Sequence, residues 1–277
     1  MAIDLSLLGK RSAPIPFRYE WKDVVLYALS VGCKAEDLDF LYEARGPKVL
    51  PTFAVVPSFA PMVAVVADLK CNPMAILHGE QQIVLHRPIP TSATLHTTSE
   101  VKAIYDKGKG ALVVVQTQTV DEKGEPVFDN VFSLFVRGEG GFGGERGPEA
   151  DKSEPPARAP DFEVSEKTST EQALFYRLNG DLNPLHADPA MAKFAGFERP
   201  ILHGLCSFGF AGRAILYGAC AGDAARLRSF GARFSGVVLP GQTLTTRGWK
   251  LDSKRYTVTV SNDVGQKVLS NGMVEVF

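Results

Sequence analysis

Two runs of period-two alternation, each following a stretch of helical material, constrain this chain more than any other feature. Strands are predicted over 81–87, 93–106, 110–120 and 126–136, with turn signals at Asp106-Lys107-Gly108 and Asp121-Glu122-Lys123-Gly124. A second set is predicted over 228–238, 242–251, 255–261 and 267–276, with a turn at Asn262-Asp263-Val264-Gly265. Ahead of the first set, 19–31 reads as a helix whose apolar side holds Trp21, Val24, Val25, Tyr27, Ala28 and Leu29, with Gly32 as its stop. Residues 38–66 carry several prolines between short apolar runs, which predicts irregular structure mixed with short helical or extended pieces. The halves echo each other in detail. Pro90, Leu95 and Thr97-Thr98 parallel Pro240, Leu244 and Thr245-Thr246, and Val127-Phe128-Asp129-Asn130 parallels Val268-Leu269-Ser270-Asn271. The expectation is an α+β chain made of one unit used twice, a helix wrapped by an antiparallel sheet. A single larger α+β domain is the alternative.

Between the two runs lies GEGGFGGERGPEADKSEPPARAP, residues 138–160, rich in Gly, Pro and charge. That is linker composition, and it divides the chain into 1–137, a linker at 138–160, and 161–277. The glycines invite a phosphate-loop reading, but no Gly-Lys-Ser/Thr follows and no strand-to-helix context surrounds them. In a second linker reading the glycine-rich start packs on the strands.

The residues that carry chemistry cluster in 170–216, TEQALFYRLNGDLNPLHADPAMAKFAGFERPILHGLCSFGFAGRAIL. A helix capped by Ser169 or Thr170 ends at Gly180, and Asp188-Pro189 reads as an N-cap followed by proline at the first helical position. Between these ends stand Asp181, Asn183 and His186. Pro184 keeps Asn183 out of the helical region, so the acid and the imidazole share no helix face, but a turned loop can aim both at one point. His203-Gly204 then introduces a long apolar helix, 205–217. The pattern is a candidate acid/base site facing a helix start. Asp, Asn, Pro and Gly are also ordinary turn formers, so the residues alone leave a plain loop open as well. Only the second half carries D-x-N-x-x-H, which predicts one active site per chain and a first half free to bind the rest of a ligand.

The segment YRLNGDLNPLHADPAMAKFAGFERPILHGLCSFGFAGRAIL resembles the signature of MaoC-like (3R)-specific enoyl-CoA hydratases, the hydratase 2 group, which also forms one unit of peroxisomal multifunctional enzyme type 2. LHGEQ at 77–81, FSLFVRGEGGFGG at 132–144 and ARFSGVVLPGQTL at 232–244 are similar to the same family, so the resemblance runs from about Arg18 to the last residue. It implies a double hot-dog fold and reversible addition of water to a trans-2-enoyl-CoA. In that chemistry Asp181 and His186 hold the water and handle its protons. Asn183 orients the pair or the water, and the Gly204 N–H receives the charge that grows on the thioester oxygen. His78, Gly79, Lys107 and Phe234 look like the family's acyl-CoA contacts. Read without the family, Lys107 is a solvated turn residue and Phe234 a core residue. His86 and His96 fall outside the motifs. The implied partner is an acyl-CoA, with no metal and no cofactor beyond the CoA thioester itself.

Composition narrows the rest. A formal net charge of −1 argues against a general nucleic-acid or anionic-membrane binder, and no apolar run reaches membrane-spanning length. Cys33, Cys71, Cys206 and Cys220 form no C-x-x-C pair and lack zinc-ligand spacing, which reads as reduced thiols. Cys206 lies near His203, but its apolar helix makes it a buried hydrophobe rather than a nucleophile. The chain opens without a signal-peptide pattern and ends in Val-Glu-Val-Phe rather than a peroxisomal Ser-Lys-Leu, so a cytoplasmic enzyme is expected, either a self-contained pseudo-dimer or a homodimer. The rival functions are a thioesterase, recognised by release of free thiol, and a non-catalytic acyl-carrier or lipid-binding module, recognised by binding without turnover.

Overall fold

Ten strands form one continuous antiparallel sheet in the computed structural model, which describes residues 3–149 and 154–277. They are β1 (Ile15–Tyr19), β2 (Ile76–Leu85), β3 (Ala93–Asp106), β4 (Gly110–Val120), β5 (Pro126–Arg137), β6 (Phe162–Lys167), β7 (Leu227–Phe234), β8 (Thr243–Lys250), β9 (Arg255–Asn262) and β10 (Lys267–Val276). The order across the sheet is β1-β3-β4-β5-β2-β7-β10-β9-β8-β6. Reading inward from either edge gives the same sequence of strands, offset by five in number. The duplicated unit expected from the sequence is therefore present as a double hot-dog. The halves meet at β2 and β7, where Gln81 faces Ala232 and Ile83 faces Phe230.

The helices are α1 (Trp21–Ser30), α2 (Leu38–Leu41), α3 (Val55–Ala67), α4 (Gln172–Tyr176), α5 (Pro189–Phe194) and α6 (Gly204–Cys220). In α6, 14 of 17 residues are buried, so it is enclosed on nearly every side rather than along one stripe. Phe208 on α6 stacks on Phe230 of β7 at 4.2 Å between ring centroids. The helix also receives the first half of the chain. A Cβ at Gly209 would stand 2.4 Å from Val31 Cγ1, and one at Gly212 would stand 2.4 Å from Thr52 Cγ2. Two side-chain-free positions three apart on one face thus let both segments press against the helix. Arg213, next on that helix, is buried and ion-paired to Glu166 of β6 at 2.9 Å and to Asp37 at 3.1 Å. Asp37 in turn accepts from the Tyr217 hydroxyl at 2.6 Å. α1 docks on α4 through Gln172 Nε2, which donates to the Ser30 carbonyl at 2.6 Å.

Three parts of the sequence reading need correction. Alternation predicts four strands per half, but there are five, because each half opens with a short edge strand. Every residue of β6 is at least partly exposed, which leaves little burial contrast for alternation to reveal. Residues 38–66 do hold short helical pieces, but they also hold most of a long helix, since α3 occupies thirteen residues despite Pro57 in its first turn and Pro61 inside it. Met62, Val65 and Val66 of α3 pack in one core cluster with Val101, Ile104, Val113 and Phe132. That burial outweighs the hydrogen bond and fit lost at Pro61. Finally β2 starts at Ile76, five residues before 81, because a bulge between His78 and Glu80 interrupts the period of two.

The glycine-rich start of the segment after β5 is packed on the sheet. The Asp106 carboxylate accepts from the N–H groups of Gly108, Gly141 and Gly143, each at 2.8 Å. These donors hold its pKa below the usual carboxylate range. Residues 150–153 of the expected linker lie outside the described residues.

Candidate active site

The connector between α4 and α5 is fixed at both ends by its own sequence. α4 passes into a 3-10 turn, Arg177–Asn179, which Gly180 terminates at φ +112°, a conformation glycine adopts at little cost. The N-cap of α4 is Glu171 rather than Ser169 or Thr170, although Ser169 Oγ still accepts from the Glu171 N–H at 3.1 Å. At the other end Asp188 accepts from the Ala190 N–H at 2.8 Å, with Pro189 opening α5 as expected. Between them, the Asn183 side chain accepts from the Leu185 N–H at 3.0 Å and caps the 3-10 turn Pro184–His186. The Asn183 main-chain N–H donates to Asp181 Oδ1 at 3.2 Å. Asn183 thus holds Asp181 through its main chain, while its side-chain oxygen is engaged in the cap.

His186 is buried, and its Nδ1–H donates to the Ile201 carbonyl at 2.8 Å. A carbonyl only accepts, so the proton sits on Nδ1 and Nε2 is left with a free lone pair, the form a general base requires. The His203 ring stacks on His186, with centroids 3.7 Å apart and planes 27° apart. A carboxylate oxygen of Asp181 and a ring nitrogen of each histidine lie within 4.8 Å of one another. Burial pushes the Asp181 carboxyl up, against the pull of His186 and the Asn183 N–H. Burial also pushes the His186 imidazole down, against the Ile201 carbonyl and Asp181. The two affinities for a proton are drawn towards each other, which suits a pair that passes one back and forth.

α6 begins after α5 and the segment 195–203, with His203 as N-cap and Gly204 as its first residue. The first amides of an α-helix have no acceptor within it and carry its partial positive charge. The N–H groups of Cys206 and Ser207 turn back to the His203 carbonyl at 3.1 and 3.3 Å, which leaves the Gly204 amide ahead of them. Phe234 lies along this glycine, since a Cβ there would meet its ring at 3.0 Å. Phe234 also contacts His78 edge-on at 4.8 Å between centroids. Burial lowers the His78 pKa to about 4, and its Nε2–H donates to the Glu80 carbonyl at 3.1 Å. Gly79, at the bulge, allows the backbone to pass close to β5, where a Cβ would stand 3.2 Å from the Ser133 carbonyl oxygen.

Asp181, His186 and His203 are also the residue types that bind metals. One nitrogen of each ring is already engaged, His186 Nδ1 with the Ile201 carbonyl and His203 Nε2 with the Asp181 carbonyl.

Residues 17–138 match the MFE-2 hydratase 2 N-terminal domain, and residues 151–272 match the MaoC like domain. The chain is 42% identical over 283 residues to a probable enoyl-CoA hydratase 2 of Dictyostelium discoideum, an alignment covering 99% of this chain and 96% of the relative. It is likewise 42% identical to 3-hydroxyacyl-thioester dehydratase Y of Mycobacterium tuberculosis, over 99% of both chains. Among solved structures, a MaoC-like dehydratase from Phytophthora capsici superposes with a TM-score of 0.90 at 35% identity, covering 100% of this chain and 98% of that one. The chain belongs to the enoyl-CoA hydratase 2 family.

Of the residues singled out from family motifs, the structure brings His78, Gly79, Phe234 and Gly204 to one neighbourhood. Lys107 is held elsewhere. Its Nζ donates to the carbonyls of Arg146 and, at 3.3 Å, Pro148. It lines a groove of about 490 Å³ with Glu80, Ser133 and Arg233, on the face of the sheet away from α6. Cys206 is fully buried, its thiol pKa raised by burial, and Sγ lies 3.4 Å from the Ser30 carbonyl oxygen. A thiol so placed is no nucleophile in this hydratase-family site. His86 pairs with Asp129 at 3.2 Å, apart from these groups. Within this site, the residue that motif reading left without a role is His203. Its sequence signals were its place in the family-like Pro-Ile-Leu-His-Gly-Leu segment and one residue before a helix that starts with Gly.

Proposed function

We infer that this protein is a hydro-lyase that adds water reversibly to a trans-2-enoyl-CoA to give (3R)-3-hydroxyacyl-CoA. The observation that carries the reading is the pairing of the Asp181 carboxylate with a His186 whose Nδ1 is tied to a carbonyl and whose Nε2 is bare. A water held between them gives up a proton to the pair, and its oxygen bonds to the β-carbon. The π electrons move to the thioester oxygen, where the Gly204 N–H stabilises the developing charge. The pair then returns a proton to the α-carbon as the carbonyl re-forms. Positioned acid/base groups contribute roughly 10² to 10⁴-fold in rate, and one oxyanion donor on the order of 10² to 10³-fold. This chemistry calls for no metal or redox cofactor. In this reading the second half carries the catalytic groups, while His78 and the rest of the first half serve the acyl-CoA.

Crotonyl-CoA and decenoyl-CoA should lose their enoyl absorbance in the presence of the protein, and chiral analysis should find the (3R) product. Release of free thiol without hydroxyacyl product would replace this reading with a thioesterase. The finer proposals are a cytoplasmic location and a pseudo-dimer that is complete in one chain. No helix among the described residues is long and apolar enough to cross a membrane.

A further inference from the structure

We propose that His203 is a positioning residue for the reaction: its Nε2–H tethers the Asp181 main chain and its ring supports His186, so one side chain fixes both proton-handling groups relative to the Gly204 amide. The inference rests on the assignment of Asp181 and His186 as the acid/base pair.

Four observations support it. His203 Nε2 lies 3.2 Å from the Asp181 carbonyl oxygen, which can only accept, so Nε2 carries the proton. Nδ1 is then a bare acceptor, and it is buried without any hydrogen-bond partner. Leaving a buried polar atom unsatisfied is costly, a cost that a phenylalanine or leucine filling the same space would avoid. A histidine here therefore needs a reason, and the bond from its other nitrogen supplies one. The ring is 1% exposed, stacked on His186 at 3.7 Å and tilted against Tyr176 at 4.9 Å between centroids. Buried against both, it cannot turn away from either partner without unpacking. Lastly, His203 is the N-cap of α6, so the ring that holds the acid/base loop belongs to the residue whose peptide carries the Gly204 N–H.

The tether also withstands changes of pH. The groups facing the ring are Asp181, His186, Arg177 and Tyr176. Burial, with help from His186, lowers the His203 pKa to about 3 against the opposing pull of the Asp181 carbonyl. Near neutral pH the ring is uncharged, and its single proton stays on Nε2.

The test compares His203→Phe, which keeps a flat ring but loses the donor, with His203→Gln, which places an amide N–H near the Nε2 position. Misplacement of catalytic groups by about 1 Å costs on the order of 10²-fold in rate, so His203→Phe should lose about 10²-fold in kcat with KM within twofold. His203→Gln should recover to within about tenfold of the parent rate. Combining His203→Phe with Asp181→Asn should add little to the loss from Asp181→Asn alone, because residues acting through one another do not add. A loss below threefold in His203→Phe overturns the proposal, as does equal damage in Phe and Gln or full additivity with Asp181→Asn. Should His203→Phe fail to fold, His203→Gln is compared with His203→Asn, whose shorter amide cannot reach; equal activity of those two overturns the tether. Asp181→Asn alone serves as the control. If it keeps full activity, the acid/base assignment fails first; if it loses activity while His203→Phe does not, only the tether fails.

Discussion

The two halves of the sheet share one strand order, yet only the second presents an open helix start. In the first half a 3-10 turn, Pro51–Ala54, runs directly into α3. Ala54 is already helical, the Val55 N–H points back to the carbonyls of Thr52 and Phe53, and Pro57 has no N–H to offer. In the second half the residue before α6, His203, is extended at φ −60° and ψ 137°, so the chain enters the helix abruptly and Gly204 stands at its tip. The connectors differ as well. The second half presents Asp181 and His186 on a pinned loop, whereas the first-half acids Asp37 and Asp39 are ion-paired, to Arg213 at 3.1 Å and to Lys48 at 2.7 Å. Duplication supplied a shell twice over. A helix start freed of its neighbours, with a rigid loop beside it, distinguishes the second half from the first.

That contrast can be broken most forcefully at the pair. Asp181→Asn and His186→Ala should each lower kcat by about 10² to 10⁴-fold with little change in melting temperature, and crotonyl-CoA hydration measures the loss. Full activity in either variant would move the chemistry out of the second half. Next comes the contact that binds the halves. Arg213→Ala leaves Asp37 and Glu166 without their buried partner and should cost about 3–5 kcal/mol in denaturant unfolding. The helix start can be tested by deleting one donor. Proline is tolerated at the first helical position, and the extended His203 suits a following proline, so Gly204→Pro should remove the amide with the fold kept. A loss of roughly 10² to 10³-fold in kcat is expected. Gly204→Ala is its control, since it retains the N–H while adding the same contact with Phe234. The smallest effect is one of pH. The folded-state pKa values of His78, near 4, and His203, near 3, lie below that of an unfolded histidine. The unfolded chain therefore binds more protons below about pH 6.5, and stability falls as pH drops through that window by up to about 1.4 kcal/mol per unit for each ring. Above it these rings contribute no pH dependence. Unfolding curves at pH 7 and pH 6, which should differ by about 1.4 kcal/mol for the two rings together, measure the difference.

The sequence revealed those features whose signal is local. Turn chemistry at Gly180, Asn183 and Asp188-Pro189 outlined the loop, and alternation located eight strands because their inner faces are buried and their outer faces are not. What it concealed depends on partners distant in the chain. β1 and β6 are edge strands with weak contrast, and α3 holds its helix through core contacts that no propensity scale contains. The stack of His203 on His186 joins residues 17 positions apart, so no spacing rule could announce it. Lys107 shows the converse. Its motif is intact, but its amine is bonded to the carbonyls of a strap that only the folded chain places beside it.

The seam between β2 and β7 also has a consequence for how the chain is made. β2 is complete by Leu85, but its neighbour across the seam ends only at Phe234. At ribosomal speeds of roughly 5–20 residues per second, the nascent first half therefore waits for several seconds or more with one flank of its sheet unzipped. An open flank of that kind can recruit the same flank of a neighbouring polypeptide. Overproduction should accordingly favour insoluble material built on β2, and a lower expression level or chaperone capture should increase the yield of soluble protein.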